Sequence, residues 1–233
     1  YGGGVCQVST TLYNAVLKAE LEVTQRSNHS MIVTYVKPSM DAAIAGDYKD
    51  LKFVNNLDAP IYIEGYTVGK DIYFNIYGQE TRPSNRKVTY ESEVVSEEDP
   101  GTQFVATGDA VGSISTTQGK HMGYVARLWK IVTVDGVEQS RDAINKSTYK
   151  SSPKIVNVGT ASADPNAVAA VNAALATGDE ATIYATVAQY SGAGQTPSEA
   201  PAEAPADSSA EAAAILGTVD ESQITGNTTT EGQ

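Results

Sequence analysis

Several features are scarce in this sequence of 233 residues, and each scarcity excludes a class of protein. A single cysteine, Cys6, excludes an internal disulfide framework, so it is either a small buried hydrophobic residue or a working thiol. No apolar run approaches the roughly 18 residues that a membrane-spanning helix needs. Three Phe and one Trp, against thirteen Tyr, favour Tyr-rich sheet surfaces over a large aromatic core.

Positive charge is missing from the C-terminal third. Residues 160–233 contain ten acidic residues and no Lys or Arg, whereas the preceding residues hold 18 acids and 16 bases. The net charge of -12 therefore belongs mostly to a tail, and it argues against nucleic acid as a partner. We predict that residues 191–233, rich in Ala, Pro, Glu and Thr, are a disordered acidic tail, because they cannot bury enough apolar surface to offset their ordering entropy.

The sequence also lacks an initiator Met and a signal peptide, since it begins with Tyr1 followed by three glycines. Such a start is expected of a processed product or of a fragment cut inside a domain. A P-loop, a dinucleotide fingerprint and metal-ligand clusters are missing as well, so we expect no cofactor and no metal.

Residues 1–80, the first module, read as a helix followed by an antiparallel sheet. Val8, Leu12, Val16 and Val23 recur at helical spacing and predict an amphipathic helix over residues 7–23. Strands are predicted at 31–36 and 51–54, and a hairpin is predicted from 61–66 and 72–77 around Gly69. Residues 81–87 form a predicted linker.

Residues 88–160, the second module, combine spaced glycines with short strand patterns at 104–106, 124–134 and 155–158. This pattern predicts an elongated all-β module with little core. Asp164-Pro165 and Gly178 are start and stop signals for one helix, and residues 180–189 suit a second, so 161–190 is a short helical segment. The predicted fold class is thus α+β for the first module and all-β for the second.

Cys6 directly follows the glycines, at the predicted helix start. Free backbone N–H groups and the helix dipole favour an anion there, and therefore a thiolate. Glycines permit close approach of a substrate carbonyl, and N–H groups around Gly4 to Gln7 suit a developing oxyanion. A glycine-rich turn with a packed cysteine is the alternative reading.

A nucleophilic cysteine needs a base, and the first module has one histidine, His29. A helix from Cys6 to Glu20 carries the chain about 21 Å away, and nine extended residues return at most about 30 Å. Pairing therefore requires the chain to double straight back. Asp41 follows a proline-containing turn and would orient the imidazole. The alternatives are a surface histidine in a polar turn and a helix-capping or turn Asp.

Three sequence blocks resemble the VanW domain of bacterial cell-envelope proteins. They are GGGVCQVSTTLYNA at 2–15, RSNHS at 26–30 and PSMDA at 38–42, and the match continues to about Gly78. The resemblance covers about a third of the chain and the C-terminal part of that domain. Ser39 departs from the family, which usually has glycine after the proline.

VanW was named from glycopeptide-resistance clusters, and the resemblance implies a peptidoglycan L,D-transpeptidase. Cys6 would attack the carbonyl that precedes the terminal D-Ala of a donor stem peptide. His29 would act as the base, and Asp41 would orient it. The positions expected to bind the oxyanion or the substrate are Gly3, Gly4, Gln7, Ser9, Asn28 and Ser30.

The second module resembles a five-glycine (G-five) domain. The matching positions include Asp99-Pro100-Gly101, Val134-Asp135-Gly136 and Val158-Gly159-Thr160. The resemblance implies attachment to glycan containing N-acetylglucosamine, with a passive spacer as the alternative. Both resemblances imply an extracellular or cell-surface location, associated with the wall or membrane. A non-catalytic envelope protein that binds peptidoglycan or glycan is the alternative function.

Overall fold

The computed structural model describes residues 4–191, which contain three helices and ten strands in an α+β arrangement. This confirms the predicted fold class. From residue 192 onward the predicted tail lies outside the described residues, as does Gly3. The elements are α1 (Val5–Lys18), β1 (Glu22–Gln25), β2 (Lys52–Val54), β3 (Tyr62–Val68), β4 (Asp71–Tyr77), β5 (Arg86–Glu98), β6 (Thr102–Ala110), β7 (Ile114–Gln118), β8 (Gly123–Val134), β9 (Val137–Tyr149), β10 (Lys154–Ala161), α2 (Pro165–Thr177) and α3 (Glu180–Tyr190).

The strands form four small sheets. In the first module β1 pairs with β2 and β3 pairs with β4, both antiparallel, and the second pair is the predicted hairpin. In the second module β8 is the central strand of an antiparallel β5-β8-β9 sheet. The remaining sheet has the order β6-β10-β7, in which β10 runs parallel to β6 and antiparallel to β7.

Helix α1 is shorter than predicted, and its buried face matches the prediction at Val16 but not at Val8. It ends at Lys18 because Glu20 adopts a left-handed backbone with φ of +57°, and residues 22–25 continue as a strand. The buried face includes the polar side chains of Ser9, Thr10 and Asn14, whereas Val8 is exposed. Those polar groups bond to main-chain groups of a neighbouring loop, so hydrophobic spacing misplaced part of the face.

Two strand predictions differ from the structure. Residues 31–36 form bends with no strand, and the second module contains β5, β7 and β9 in addition to the three expected strands. Strands β5 and β9 are rich in charged residues and mostly exposed, so they lack the apolar pattern that marks a strand. Strands β5 and β9 form because each pairs with one edge of β8.

The second module gains a buried core from the helical segment that follows it, because β10 packs against α2 and α3. Val156 and Val158 lie fully buried against side chains of α2 and α3, including Val171 and Ile183. Asp164 caps α2 by accepting from Asn166 N–H at 2.9 Å, which agrees with the predicted helix start. Within residues 4–191, each helix is too short or too polar to cross a membrane.

A second buried cluster joins the two modules. Tyr13 and Leu17 of α1 and Ala42 from the loop contact Leu128 of β8, and Tyr90 of β5 packs on the edge. The Tyr90 hydroxyl donates to the carbonyl of Leu17 at 2.6 Å. The helix that carries Cys6 is thus held partly by the second module.

Candidate active site

Cys6 lies in the first turn of α1, one residue after the helix begins. Gly4 occupies the N-cap position and has no side chain to bond the first N–H groups of the helix. These groups are donors that the helix itself does not use. The Cys6 side chain is half-buried, and its Sγ donates to the carbonyl of Ile44 at 3.6 Å.

The buried polar face of α1 anchors the loop that carries Asp41 beside Cys6. Ser9 Oγ donates to the carbonyl of Ala42 at 2.5 Å, and Thr10 Oγ1 accepts from Ala42 N–H at 3.0 Å. Asn14 Nδ2 donates to the carbonyl of Met40 at 2.9 Å. Ser9, expected to bind substrate, therefore lies in the interior with its hydroxyl bonded to main-chain carbonyls.

His29 and Asp41 are brought together. The imidazole Nδ1 lies 2.7 Å from Asp41 Oδ2, and the same oxygen accepts from the His29 backbone N–H at 2.7 Å. Arg26 Nη2 donates to Asp41 Oδ1 at 2.8 Å. Because the ionised carboxylate can only accept, it fixes the Nδ1–H tautomer and makes Nε2 the unprotonated nitrogen of the imidazole.

Asp41 is a fully buried carboxylate that the structure keeps ionised. Burial by itself would raise its pKa, but hydrogen bonds from His29 and from Tyr149, together with the charge of Arg26, hold the pKa of Asp41 below its ordinary value. Tyr149 belongs to β9 of the second module, and its hydroxyl lies 2.5 Å from Asp41 Oδ1. We call Arg26, His29, Asp41 and Tyr149 the Asp41 network.

Tyr35 is a site residue that the sequence did not reveal. Its hydroxyl lies 3.3 Å from His29 Nε2, and its ring meets the imidazole edge-on. Burial raises the pKa of Tyr35, a hydrogen bond with Thr10 opposes this, and the charge of Cys6 adds to the rise. Tyr35 thus adjoins His29. Its position within a run predicted as a strand gave no sign of this role.

Cys6 and His29 are not joined directly. In the part of the chain that the structure describes, Cys6 Sγ bonds to Ile44 and His29 Nε2 faces Tyr35, with no hydrogen bond between thiol and imidazole. Catalytic hydrogen bonds are often long or absent before substrate binds. The chain does double back toward α1, because Ala42 accepts from Ser9 of that helix and the adjacent Asp41 accepts from His29.

The other predicted positions serve different contacts. Asn28 Nδ2 donates to the carbonyls of His29 and of Thr148, at 2.7 and 2.9 Å, which ties the histidine loop to β9. Ser30 is exposed, and its carbonyl accepts from Lys150 N–H at 2.7 Å. Both residues flanking His29 are therefore fastened to the second module.

A cleft of about 240 Å³ lies along α1, and Cys6 is not one of the residues that line it. Its walls combine polar groups with two aromatic rings, and they include Gln7, Thr10, Thr11, Tyr35 and Tyr73. A larger cleft, of about 830 Å³, surrounds Lys18 and Glu20 at the far end of α1, and none of the predicted site residues lines it. Among residues 4–191, no group of three His, Cys, Asp or Glu side chains is placed to hold a metal.

Comparison with known proteins gives two family matches. Residues 1–77 match the family model described as VanW like protein, and residues 81–161 match the G5 domain model. The Bacillus subtilis (strain 168) protein YoaR, described as uncharacterized, is 39% identical over 79 residues, which are 34% of this chain and 26% of YoaR. The chain thus spans about a quarter of the length of this curated relative.

Two solved structures of G5 domains are similar to part of the chain. The IgA1 protease G5 domain is 26% identical, with a TM-score of 0.25, and the match covers 33% of this chain and 94% of that domain. The HP0197-G5 crystal structure is 20% identical, with a TM-score of 0.17, and the match covers 31% of this chain and 99% of that one. The two family matches together indicate a bacterial cell-wall-associated protein whose chain carries a VanW-like domain followed by a G5 domain.

Proposed function

We propose that this protein is a peptidoglycan L,D-transpeptidase that uses Cys6 as its nucleophile. The observation that carries the proposal is the buried Asp41 carboxylate, which holds His29 in one tautomer beside the helix start that bears Cys6. A nucleophile, a base and a group that orients the base are the parts that nucleophilic acyl transfer needs. We assign the end of the stem peptide to the cleft along α1, whose lining includes Gln7 and Tyr35.

In the first half-reaction, His29 Nε2 takes the thiol proton and Cys6 Sγ attacks the carbonyl that precedes the terminal D-Ala of the donor stem. The carbonyl oxygen becomes an oxyanion, which the unused N–H groups of the first turn of α1 stabilise. Collapse of this intermediate breaks the amide bond. The proton on His29 passes to the departing nitrogen, D-Ala leaves, and the donor remains on Cys6 as a thioester.

In the second half-reaction, an amine of another stem peptide attacks the thioester. His29 removes the amine proton as the new amide bond forms, and the proton then returns to Cys6 Sγ as the thiol is released. The charge of Asp41 stabilises the imidazolium that forms in each half. The Tyr35 hydroxyl, 3.3 Å from Nε2, stands where the proton is exchanged.

For the second module we propose attachment to wall glycan that contains N-acetylglucosamine. The support is the G5 match over residues 81–161, and such attachment places the enzyme on the cell surface beside its substrate. A pull-down with purified peptidoglycan sacculi tests this proposal. Release of the bound protein by free N-acetylglucosamine oligomers is expected, and equal binding to a polysaccharide without that sugar would contradict it.

The transpeptidase proposal is tested by incubating the full-length protein with a disaccharide tetrapeptide and following the products by mass spectrometry. Released D-Ala together with a thioester on Cys6 or a cross-linked dimer is the expected result. Cys6→Ala removes the nucleophile and should abolish all three products. Lys18→Ala, at the exposed far end of the same helix, is the matched control and should leave turnover unchanged.

A non-catalytic binding protein is the second candidate, and the contact between Cys6 Sγ and the Ile44 carbonyl favours it, because a packed thiol makes such a bond. Alkylation near pH 6 separates the two. A free thiol is almost wholly protonated at that pH, so fast and selective alkylation of Cys6 supports the enzyme. No turnover over several stem peptides by a folded protein would contradict the enzyme and favour the binding role.

A further inference from the structure

One face of β9 in the second module is built against the candidate active site. Asn145, Ser147 and Tyr149 alternate along the strand, so their side chains share one face. Ser147 and Tyr149 are buried, whereas Lys146 and Thr148, which alternate with them along the strand, are exposed. The face therefore turns toward the first module.

Each of these three side chains bonds to the segment that leads to Asp41. Asn145 Nδ2 donates to the carbonyl of Ser39 at 3.1 Å, and the Ser147 hydroxyl lies 2.8 Å from that of Ser39. Tyr149 Oη accepts from Ser39 N–H at 2.7 Å and donates to Asp41 Oδ1 at 2.5 Å. A single hydroxyl thus fixes both the turn and the carboxylate.

The conformation of Ser39 shows what the strand supports. Ser39 is fully buried and has a left-handed backbone with φ of +68°. This region has an energetic cost for a residue with a Cβ, whereas glycine adopts it readily. The bonds from Ser147 and Tyr149 offset that cost and set the angle at which Asp41 leaves the turn.

The strand also reaches Arg26, the cation of the Asp41 network. Arg26 Nη1 donates to Ser147 Oγ at 2.8 Å while Nη2 donates to Asp41. Burial raises the pKa of Tyr149 to about 12, and the charge of Asp41 adds to the rise, so the phenol keeps its proton and remains a donor. Asp41 Oδ1 accordingly accepts from one group of each module.

We propose that Tyr149 is a positioning residue for the active site, acting on His29 through Asp41, so that the second module is a structural part of the catalytic centre as well as a wall anchor. In this arrangement Oδ1 of Asp41 is held by Arg26 and Tyr149, and Oδ2 is aimed at His29. The kinetic part of this inference rests on the transpeptidase function proposed above.

Tyr149→Phe in the full-length protein tests the role, because it removes the hydroxyl and keeps the ring. We expect kcat for D-Ala release to fall about tenfold with little change in KM, a part of the 10²–10⁴-fold that acid–base catalysis supplies. The acid limb of the pH–rate profile should also move to higher pH, because Asp41 loses a hydrogen bond that favours its ionised form.

Tyr90→Phe is the matched control. Its hydroxyl also bridges the modules, to Leu17, but it is not among the donors to Asp41 in the described structure. The two variants should lose comparable stability, whereas Tyr90→Phe should keep the wild-type kcat and pH profile. Equal kinetic losses in both would overturn the proposal and reduce Tyr149 to an interface contact.

A spectroscopic readout is independent of turnover. In nitrogen-labelled protein the His29 Nδ1–H, bonded to buried Asp41, should give a slowly exchanging imidazole signal, which Tyr149→Phe broadens and Tyr90→Phe preserves. An unchanged signal in Tyr149→Phe overturns the positioning role whatever the enzyme does. A wild-type protein with the expected signals but no D-Ala release overturns the transpeptidase function alone.

If Tyr149→Phe does not fold, Ser147→Ala is the second variant that tests the role of this strand. It removes the hydroxyl shared by Arg26 and Ser39 from the same face of β9. A smaller loss of kcat and a partial broadening of the His29 signal are expected. Wild-type values for both in a folded Ser147→Ala variant would overturn the role of this strand face.

Discussion

The two hydrophobic clusters of this protein span very different distances along the chain. One joins β10 to α2 and α3, so its fully buried residues all lie between Val156 and Val187. The other joins Tyr13 of α1 to Leu128 of β8, across the whole of the first module and half of the second. The cluster near the candidate active site therefore exists only when both modules are packed together, whereas the C-terminal cluster forms within the second module and the two helices that follow it.

The polar contacts show the same contrast. Asp41 is buried and accepts from groups of both modules. The pairs that Arg141 makes with Glu138 and Glu91 are exposed and lie within one sheet. Buried charges are costly to leave unpaired, while exposed pairs contribute little, so the two networks should respond very differently to the loss of one partner.

The largest expected effect is that of Asp41→Asn. It leaves Arg26 buried without its counter-charge, which typically costs about 3–5 kcal/mol. Urea unfolding of the wild type and the variant measures this loss. Glu138→Gln on the exposed network is the control and should leave the urea midpoint almost unchanged. Similar losses of stability in the two variants would contradict the difference between the buried and the exposed network.

Val156→Ala tests the C-terminal cluster. It deletes two methyl groups from a fully buried side chain, which should lower the free energy of unfolding by about 2 kcal/mol. Because this cluster excludes the active-site residues, the rate and pH dependence of Cys6 alkylation should remain those of the wild type. A changed alkylation profile would mean that the two clusters are coupled.

Acid should weaken the contact between the modules through Glu20. The hydrogen bond from Arg86 lowers the pKa of Glu20 to about 2, against the opposing effect of burial and with help from Lys130. Since the folded pKa lies below the ordinary value of 4.5, this stabilisation is present above pH 4.5 and is lost as the pH falls toward 2. Across that pH range, the free energy of unfolding should fall less steeply in Glu20→Gln than in the wild type. Identical slopes would contradict the role given to Glu20.

The smallest expected effect is that of Asp164→Ala at the start of α2. Removing a side chain that caps a helix costs about 1 kcal/mol. Asp164→Asn retains an accepting oxygen and should recover most of the loss, as thermal unfolding followed by circular dichroism would show. Neither variant should alter Cys6 alkylation, because the hydrogen bonds of Asp164 are with Ser162 and Asn166 and involve no residue of the Asp41 network.

The sequence was informative wherever the signal was local. The β3-β4 hairpin around Gly69 and the limits of α2, set by Asp164 and Gly178, follow from residues in direct succession. It also singled out Cys6, His29 and Asp41, through helix-start chemistry and through the resemblance to a family. Turn, cap and helix-start preferences act over a few residues, so no knowledge of the rest of the chain was needed.

Tertiary structure decided what depends on distant partners. Part of the buried face of α1 was misjudged because Ser9 and Asn14 find acceptors in the 40–42 loop, and β9 was missed because pairing with β8 forms it. Tyr149 lies 108 residues from Asp41, and no local pattern marks it as a partner. The sequence by itself determined the order of the modules and the candidate nucleophile. Only packing between the modules determined how the histidine is held, because a buried carboxylate takes its donors from whichever strand closes over it.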